Sequence, residues 1–255
     1  MNLVLNRFLA ALSFTLIFCS GSLFSQNTIE EDETFNVLSF TIGYGYEIPG
    51  GDLLDRYGNN LKFTIGSQYL TASNWIYEFD FNLMFGNEVK EDVLSAFRNE
   101  NGSFIGSNGD VADVFSRQRG FFMGGLIGKI ISKPKKQNGV KVAAGAGVLS
   151  HNVRFLDESS GFFQINGDYL KGYDRLTRGF ALKQQIGYEH HSKNGRINFN
   201  IVFEFTQGFT KSVREYQFDT GKFDTERRLD LVYGIRGTYM LPIKRQSSKE
   251  KLIYY

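Results

Sequence analysis

One cysteine, three prolines and one tryptophan in 255 residues show what this chain does without. With Cys19 alone, no disulfide can form within the chain, and stability has to come from backbone pairing and packing. Neither sign of charge dominates: 29 Lys and Arg stand against 27 Asp and Glu, which removes the electrostatic case for a nucleic-acid partner. No grouping of His, Asp and Glu has metal-ligand spacing, and no glycine pattern forms a phosphate loop, so neither metal nor cofactor is expected. Beyond the N-terminus there is no apolar run long enough to cross a membrane as a helix.

That N-terminus carries the one long apolar stretch. Arg7 precedes Phe8 to Phe18, and the small residues Ser20, Gly21 and Ser22 follow. The run falls short of the ~20 residues a spanning helix requires, and the pattern is that of a secretory signal peptide. Cleavage is expected near Ser25-Gln26, giving a signal peptide over 1–26 and a short acidic segment over 27–35 that contains Glu30 to Glu33. Lipidation at Cys19 would need a small residue before it, where Phe18 stands.

What is abundant is glycine and aromatic residues, 28 Gly, 25 Phe and 13 Tyr, interleaved with polar residues instead of forming blocks. Period-two alternation is a strand signal. Eight segments show it: 37–48, 61–69, 75–85, 121–131, 140–148, 180–189, 197–206 and 229–241. The third is the clearest, with Trp75, Tyr77, Phe79, Phe81, Leu83 and Phe85 on one face and Glu78, Asp80 and Asn82 on the other. In the fourth, Lys129 is expected to point inward. Stripes of about ten residues suit a lipid-facing wall, and a chain that spans a membrane on strands must close them. The expected fold is therefore all-β, an eight-stranded antiparallel up-and-down transmembrane β-barrel over 36–243 with a charged tail over 244–255. Connections alternate long and short, which places the long ones outside the cell and both termini at the periplasmic end. Pro49, Pro134 and Pro242 are expected at strand ends, where a missing N–H breaks no ladder bond.

The polar face decides between this fold and a soluble lipocalin-like binder. An eight-stranded membrane barrel has an interior just wide enough for side chains, so charges inside it must pair. Lys62, Lys129, Lys141, Lys183 and Arg236 fall on that face opposite Glu47, Glu78, Asp80, Glu189, Glu204 and Asp230. The expected site is an ion-paired lumen built around Lys62, Glu78, Asp80, Lys183, Glu189, Glu204, Asp230 and Arg236. Near-balance in sign favours a plugged interior over a small pore.

In the outer connections, Pro49 to Gly58 includes Asp52, suited to capping a helical turn, and Arg56; 171–179 holds Tyr173, Asp174 and Arg175. Asp52, Arg56, Tyr173, Asp174 and Arg175 form a candidate surface-interaction set, with arginines able to bind lipopolysaccharide phosphates. Val89 to Phe97 is expected as a short helix over the barrel mouth. His151, at the end of the fifth segment, is expected at the rim.

The stretches Pro49-Gly50-Gly51-Asp52-Leu53, Gly172-Tyr173-Asp174-Arg175-Leu176 and Leu241-Pro242-Ile243-Lys244, with the terminal Tyr254-Tyr255, resemble those of small outer-membrane barrel proteins of Bacteroidetes. The resemblance implies an outer-membrane location with loops outside, outer-membrane lipids and lipopolysaccharide as neighbours, and other outer-membrane or secretion proteins as partners. Its implied role is envelope-structural or surface-interacting, accessory to secretion machinery. A competing enzymatic reading takes His190, Ser192 and Glu204 as base, nucleophile and orienter of a lipid A deacylase. Alternation weakens it, because it puts His190 on the lipid side and Glu204 inside.

Overall fold

The computed structural model describes residues 34–106, 109–133, 136–157, 167–192, 197–214 and 216–247. The expected signal peptide, Cys19, Glu30 to Glu33, Pro134 and Tyr254-Tyr255 lie outside these residues. The strands are β1 (Phe35–Gly51), β2 (Asn60–Leu70), β3 (Trp75–Gly86), β4 (Phe104–Ile105), β5 (Val111–Ala112), β6 (Val114–Ile131), β7 (Gly139–Asp157), β8 (Thr177–His191), β9 (Asn198–Ser212), β10 (Tyr216–Gln217), β11 (Lys222–Phe223) and β12 (Arg227–Ser247). One short helix, α1 (Asp52–Arg56), follows β1 directly.

β1 is hydrogen-bonded to β2 on one side and to β12 on the other, so the antiparallel order β1-β12-β9-β8-β7-β6-β3-β2 runs back on itself as a closed barrel. Eight strands make up this barrel, but they are not all of the strand content, and the expected connections need correction. The described residues form twelve strands, and β4-β5 and β10-β11 are separate two-stranded ribbons in the outer connections. The physical reason is a second small core outside the wall, where Val93, Leu94, Phe104, Ala112 and Tyr173 are buried together. Alternation along the long strands carries no trace of it. The helix expected over 89–97 is reduced to a single 3-10 turn at Ser95–Phe97.

Proline placement also differs. Pro49 pairs with Val232 inside β1, and Pro242 pairs with Ser39 where the register shifts between Leu38 and Ser39. Such an irregularity tolerates a missing N–H. Lys244, Arg245 and Gln246 do not leave the sheet as a tail but continue β12 opposite Leu38, Val37 and Asn36.

Facing follows the pleat. On β1, Leu38, Phe40, Ile42, Tyr44, Tyr46 and Ile48 are exposed, while Ser39, Thr41 and Glu47 are buried. On β9, Phe199, Ile201, Phe203 and Phe209 point out, and Asn198, Asn200, Glu204, Thr206 and Thr210 point in. The large apolar residues thus cover the outside and the polar ones fill the inside, the reverse of a lipocalin-like arrangement. β6 resolves its own ambiguity with Phe122, Leu126 and Ile130 inside. Lys129, expected inside, is exposed, and its Nζ lies 5.3 Å from the Trp75 ring centroid. Odd-numbered residues of β6 face out, and the glycines of that strand hid this from the sequence.

The interior is layered. Under α1, at the end bearing the long connections, Leu53, Tyr57, Met84, Phe122, Leu149, Val153, Ala181 and Val232 form one apolar cluster. At the opposite end Val37, Leu70, Ile76 and Ile130 form another, with Phe35 against it. The charges lie between the two.

Candidate functional site

Four cations and five carboxylates occupy the middle layer. Lys62 pairs with Glu47 at 2.8 Å and with Glu204. Arg236 reaches Asp80 at 2.8 Å and Glu204 at 3.1 Å, and the Gln185 amide donates to Glu204 at 3.0 Å. A second group centres on Lys141, paired with Glu78 and, at 3.2 Å, with Glu189. Glu189 also accepts from the Gln68 amide at 2.5 Å and contacts His191 at 2.7 Å. Lys183 stands 3.9 Å from Asp80 with its Nζ 3.8 Å from the Phe122 ring centroid, so a π face takes over part of the role of a hydrogen-bond acceptor. Cations this long fit because small residues face them. A Cβ on Gly45 would stand 2.7 Å from the Ile235 carbonyl and 3.3 Å from Lys62 Cε.

The structure thus brings Lys62, Glu78, Asp80, Lys183, Glu189, Glu204 and Arg236 into one interior layer. Asp230 is a correction. It touches no lysine or arginine in that layer and instead bonds His151 Nε2 at 2.8 Å and Thr210 at 2.5 Å, higher in the barrel. His151, expected at the rim, is fully buried, with Tyr57 edge-on at 5.5 Å. Its position next to α1 could not be read from β7 alone, because α1 comes from a distant part of the chain. Sequence reasoning also missed Gln68 and Gln185. Their only signal was inward parity, which polar uncharged residues share with many others.

The loop residues expected at the surface mostly turn inward, a second correction. Tyr173, Asp174 and Arg175 are buried, and only Asp52 of the set is exposed. Arg175, in a left-handed conformation at φ 51, grips Asp219 through two bonds of 2.9 and 2.6 Å and Glu91 at 2.7 Å. Its backbone carbonyl accepts from Arg56 at 3.2 Å. Groups from all four outer connections therefore meet at Arg175. Burial opposes its charge, but the bonds from Asp219 and Glu91 outweigh that and raise its pKa above the ordinary value. Asp174 binds Arg214 through paired bonds of 3.0 and 2.6 Å. Asp52 caps no helix N–H; its carboxylate accepts the Leu229 N–H at 2.7 Å. Asp52, Arg56 and Arg175 do share the lining of one outer cavity of 390 Å³. The set works first as a clamp, because each charge already has a partner in its own fold.

The deacylase arrangement is not assembled. The His190 ring lies against Phe199 at 5.2 Å on the outer wall. Glu204 is an interior residue opposite Gln185, whereas His190 is opposite Phe199, five positions along β9. At ~3.3 Å per residue that is about 16 Å. The Ser192 hydroxyl accepts the Ile197 N–H at 3.0 Å within its turn. Among the described residues no group of three or more His, Cys, Asp or Glu could hold a metal.

Among the described residues an apolar cluster lies at each end of the interior with paired charges between the two, an arrangement that favours a closed lumen. Reconstituted protein should give no steady current in planar bilayers at any applied voltage. A stable open level would mean that one of the two apolar layers is displaced.

No family model and no curated protein matches this chain. Among solved structures it is similar to Ail, the attachment invasion locus protein of Yersinia pestis, at 12% identity and TM-score 0.40, covering 80% of this chain and 98% of that one. It is also similar to Neisserial surface protein A (7% identity, TM-score 0.43, 82% and 99% covered) and to the outer membrane protein OprG from Pseudomonas aeruginosa (13%, 0.39, 83% and 99%). Identities this low say nothing about what the chain binds.

Proposed function

We propose that this chain resides in the bacterial outer membrane as a non-conducting wall that holds a rigid set of loops at the cell surface. The observation that carries the reading is the inversion of polarity: Tyr44 is 57% exposed and Phe203 63%, while Lys62, Lys141 and Arg236 are 2% or less. In water such an outside would be an aggregation surface and such an inside would gain nothing; against lipid both are favourable. The arginine clamp then fits a surface-interaction or envelope-structural role, since it presents fixed loops instead of a moving lid. The resemblance to small Bacteroidetes barrels supports the same location and adds outer-membrane or secretion proteins as neighbours, with lipopolysaccharide around the wall.

Orientation is tested by single cysteines. Asp168 is fully exposed in a long connection and pairs only with the exposed Lys171, so Asp168→Cys should leave the fold intact. It should react with a membrane-impermeant maleimide on intact cells. Ser73→Cys, in the short β2-β3 turn, should react only after lysis. The opposite pattern would invert the orientation, and equal labelling of both in a soluble fraction would remove the protein from the membrane.

A further inference from the structure

Above the apolar wall, at the end bearing the long connections, lies a set of cations that the interior network does not use. Outward parity on β8, β9 and β12 ends in Phe180, Phe209 and Leu229, 53%, 52% and 43% exposed and paired side by side across the three strands. The next outward position on each strand is Arg178, Lys211 and Arg227, again direct cross-strand neighbours: Arg178 opposite Lys211, and Lys211 opposite Arg227. All three are exposed. Across β7 the partner of Arg178 is the buried Ser150, itself opposite Phe121, and the cations of β6 and β7 lie further along, with Arg119 opposite Asn152 and Arg117 directly opposite Arg154.

Like charges opposite one another in a ladder destabilise it, so a fold would ordinarily separate them or supply carboxylates. Here neither occurs. Among the described residues none of the six has a carboxylate within ion-pair distance, and Arg119 bonds only backbone carbonyls, of Gln118 at 2.6 Å and Gly86 at 3.4 Å. The nearby acids are otherwise engaged: Asp224 by Arg228 and Gln217, and Asp52 by the Leu229 N–H. Beyond β6 the ladder changes character, since the residues in register with Arg119 are the exposed Phe85 of β3 and, beside it, Leu61 of β2 and Tyr46 of β1. The cations are thus confined to a sector, which general solubility would not require.

We propose that this sector, β6 through β12, binds the phosphate groups of an outer-leaflet glycolipid, whose acyl chains lie on Phe180, Phe209 and Leu229. The proposal rests on the outer-membrane reading above and deepens it. Two residues along a strand is about 7 Å, the step from the top of an acyl layer to its headgroup phosphates. Arginine suits this work because its planar fork binds phosphate through two bonds. A cavity of 390 Å³ between Lys211 and Arg227, lined also by Val213 and Phe223, offers apolar and basic surface together; Asp224, already held by Arg228, lies on its edge.

The test uses the folded, detergent-solubilised chain and purified diphosphoryl lipid A, followed by native mass spectrometry. Wild type should retain the lipid, and the triple variant Arg178→Gln/Lys211→Gln/Arg227→Gln should lose affinity by about tenfold or more, as expected for removing several charge-assisted bonds. Lys129→Gln, an outward cation at the other end of the wall, should bind as wild type does. Dephosphorylated lipid A should bind no better to wild type than to the triple variant. Equal retention by wild type and triple variant overturns the site, as does displacement of lipid A by inorganic phosphate alone, which would make this a site for the free anion. Flotation with phosphatidylcholine vesicles and heat-modifiable mobility check each variant's fold. A wild type that fails to float overturns the outer-membrane reading and this inference with it, whereas a floating wild type with unchanged triple-variant binding overturns the inference alone.

Discussion

Arg236→Met should destabilise the protein more than any substitution of a single outer-loop charge. Arg236 is 2% exposed and bonds both Asp80 and Glu204, so methionine fills much of its volume but leaves two carboxylates facing each other in a dry layer. Breaking one buried pair by removing a partner costs about 3–5 kcal/mol, and here one side chain serves two. Lys62 remains with Glu204, and Lys183 is near Asp80, so the loss is cushioned and should stay near the upper part of that range instead of doubling it. Urea unfolding in vesicles, followed by the loss of the compact band on unheated gels, measures it. Restoring the wild-type charge balance in the double variant Arg236→Met/Glu204→Gln should recover part of the loss, because Lys62 keeps Glu47 and Lys183 keeps Asp80. If Arg236→Met alone unfolds at the wild-type urea concentration, the interior is wet and the ion pairs are screened.

Phe203→Arg should be the most damaging single change on the outer face. Phe203 is 63% exposed at the middle of the apolar stretch of β9, with Ile235 and Ile186 beside it on the neighbouring strands. Arginine at the bilayer midplane of such a wall costs about 2–4 kcal/mol, falling to ~0–1 near the interfaces. In a soluble protein the same substitution at so exposed a position would stay within about 0.5 kcal/mol. Phe203→Arg should therefore lower stability in vesicles strongly, while Phe209→Arg, next to the headgroup level at Lys211, should be mild. The same unfolding assay reads both. Equal and small effects at the two depths would mean that the wall does not meet hydrocarbon.

Both expectations depend on the parity of β3, β9 and β12, which the sequence shows openly. Trp75 to Phe85 alternates without interruption, and the pleat allows only two facings for such a stripe. The polarity of the interior follows from the same fact: once the aromatic residues face out, Lys62, Asp80, Glu204 and Arg236 have no other place to go. Where the alternation is broken by glycine, as in β6, the facing of Lys129 was lost, because residues without side chains leave no contrast between the two faces.

The sequence by itself therefore determined the class of the wall, the positions of its long strands, and the set of charges that must be reconciled inside it. These are consequences of local periodicity, which needs no knowledge of what lies next to a strand. Only the tertiary structure decided the partners. Asp230 goes to His151 and not to Arg236, and Arg175 is buried as a clamp on Glu91 and Asp219 when its loop reads as exposed. Arg178, Lys211 and Arg227 become one basic row although 16 to 33 residues separate neighbours in the chain. Strand register and the packing of the outer connections set these distances, and register depends on which strand lies alongside, a relation between distant segments that no single segment encodes.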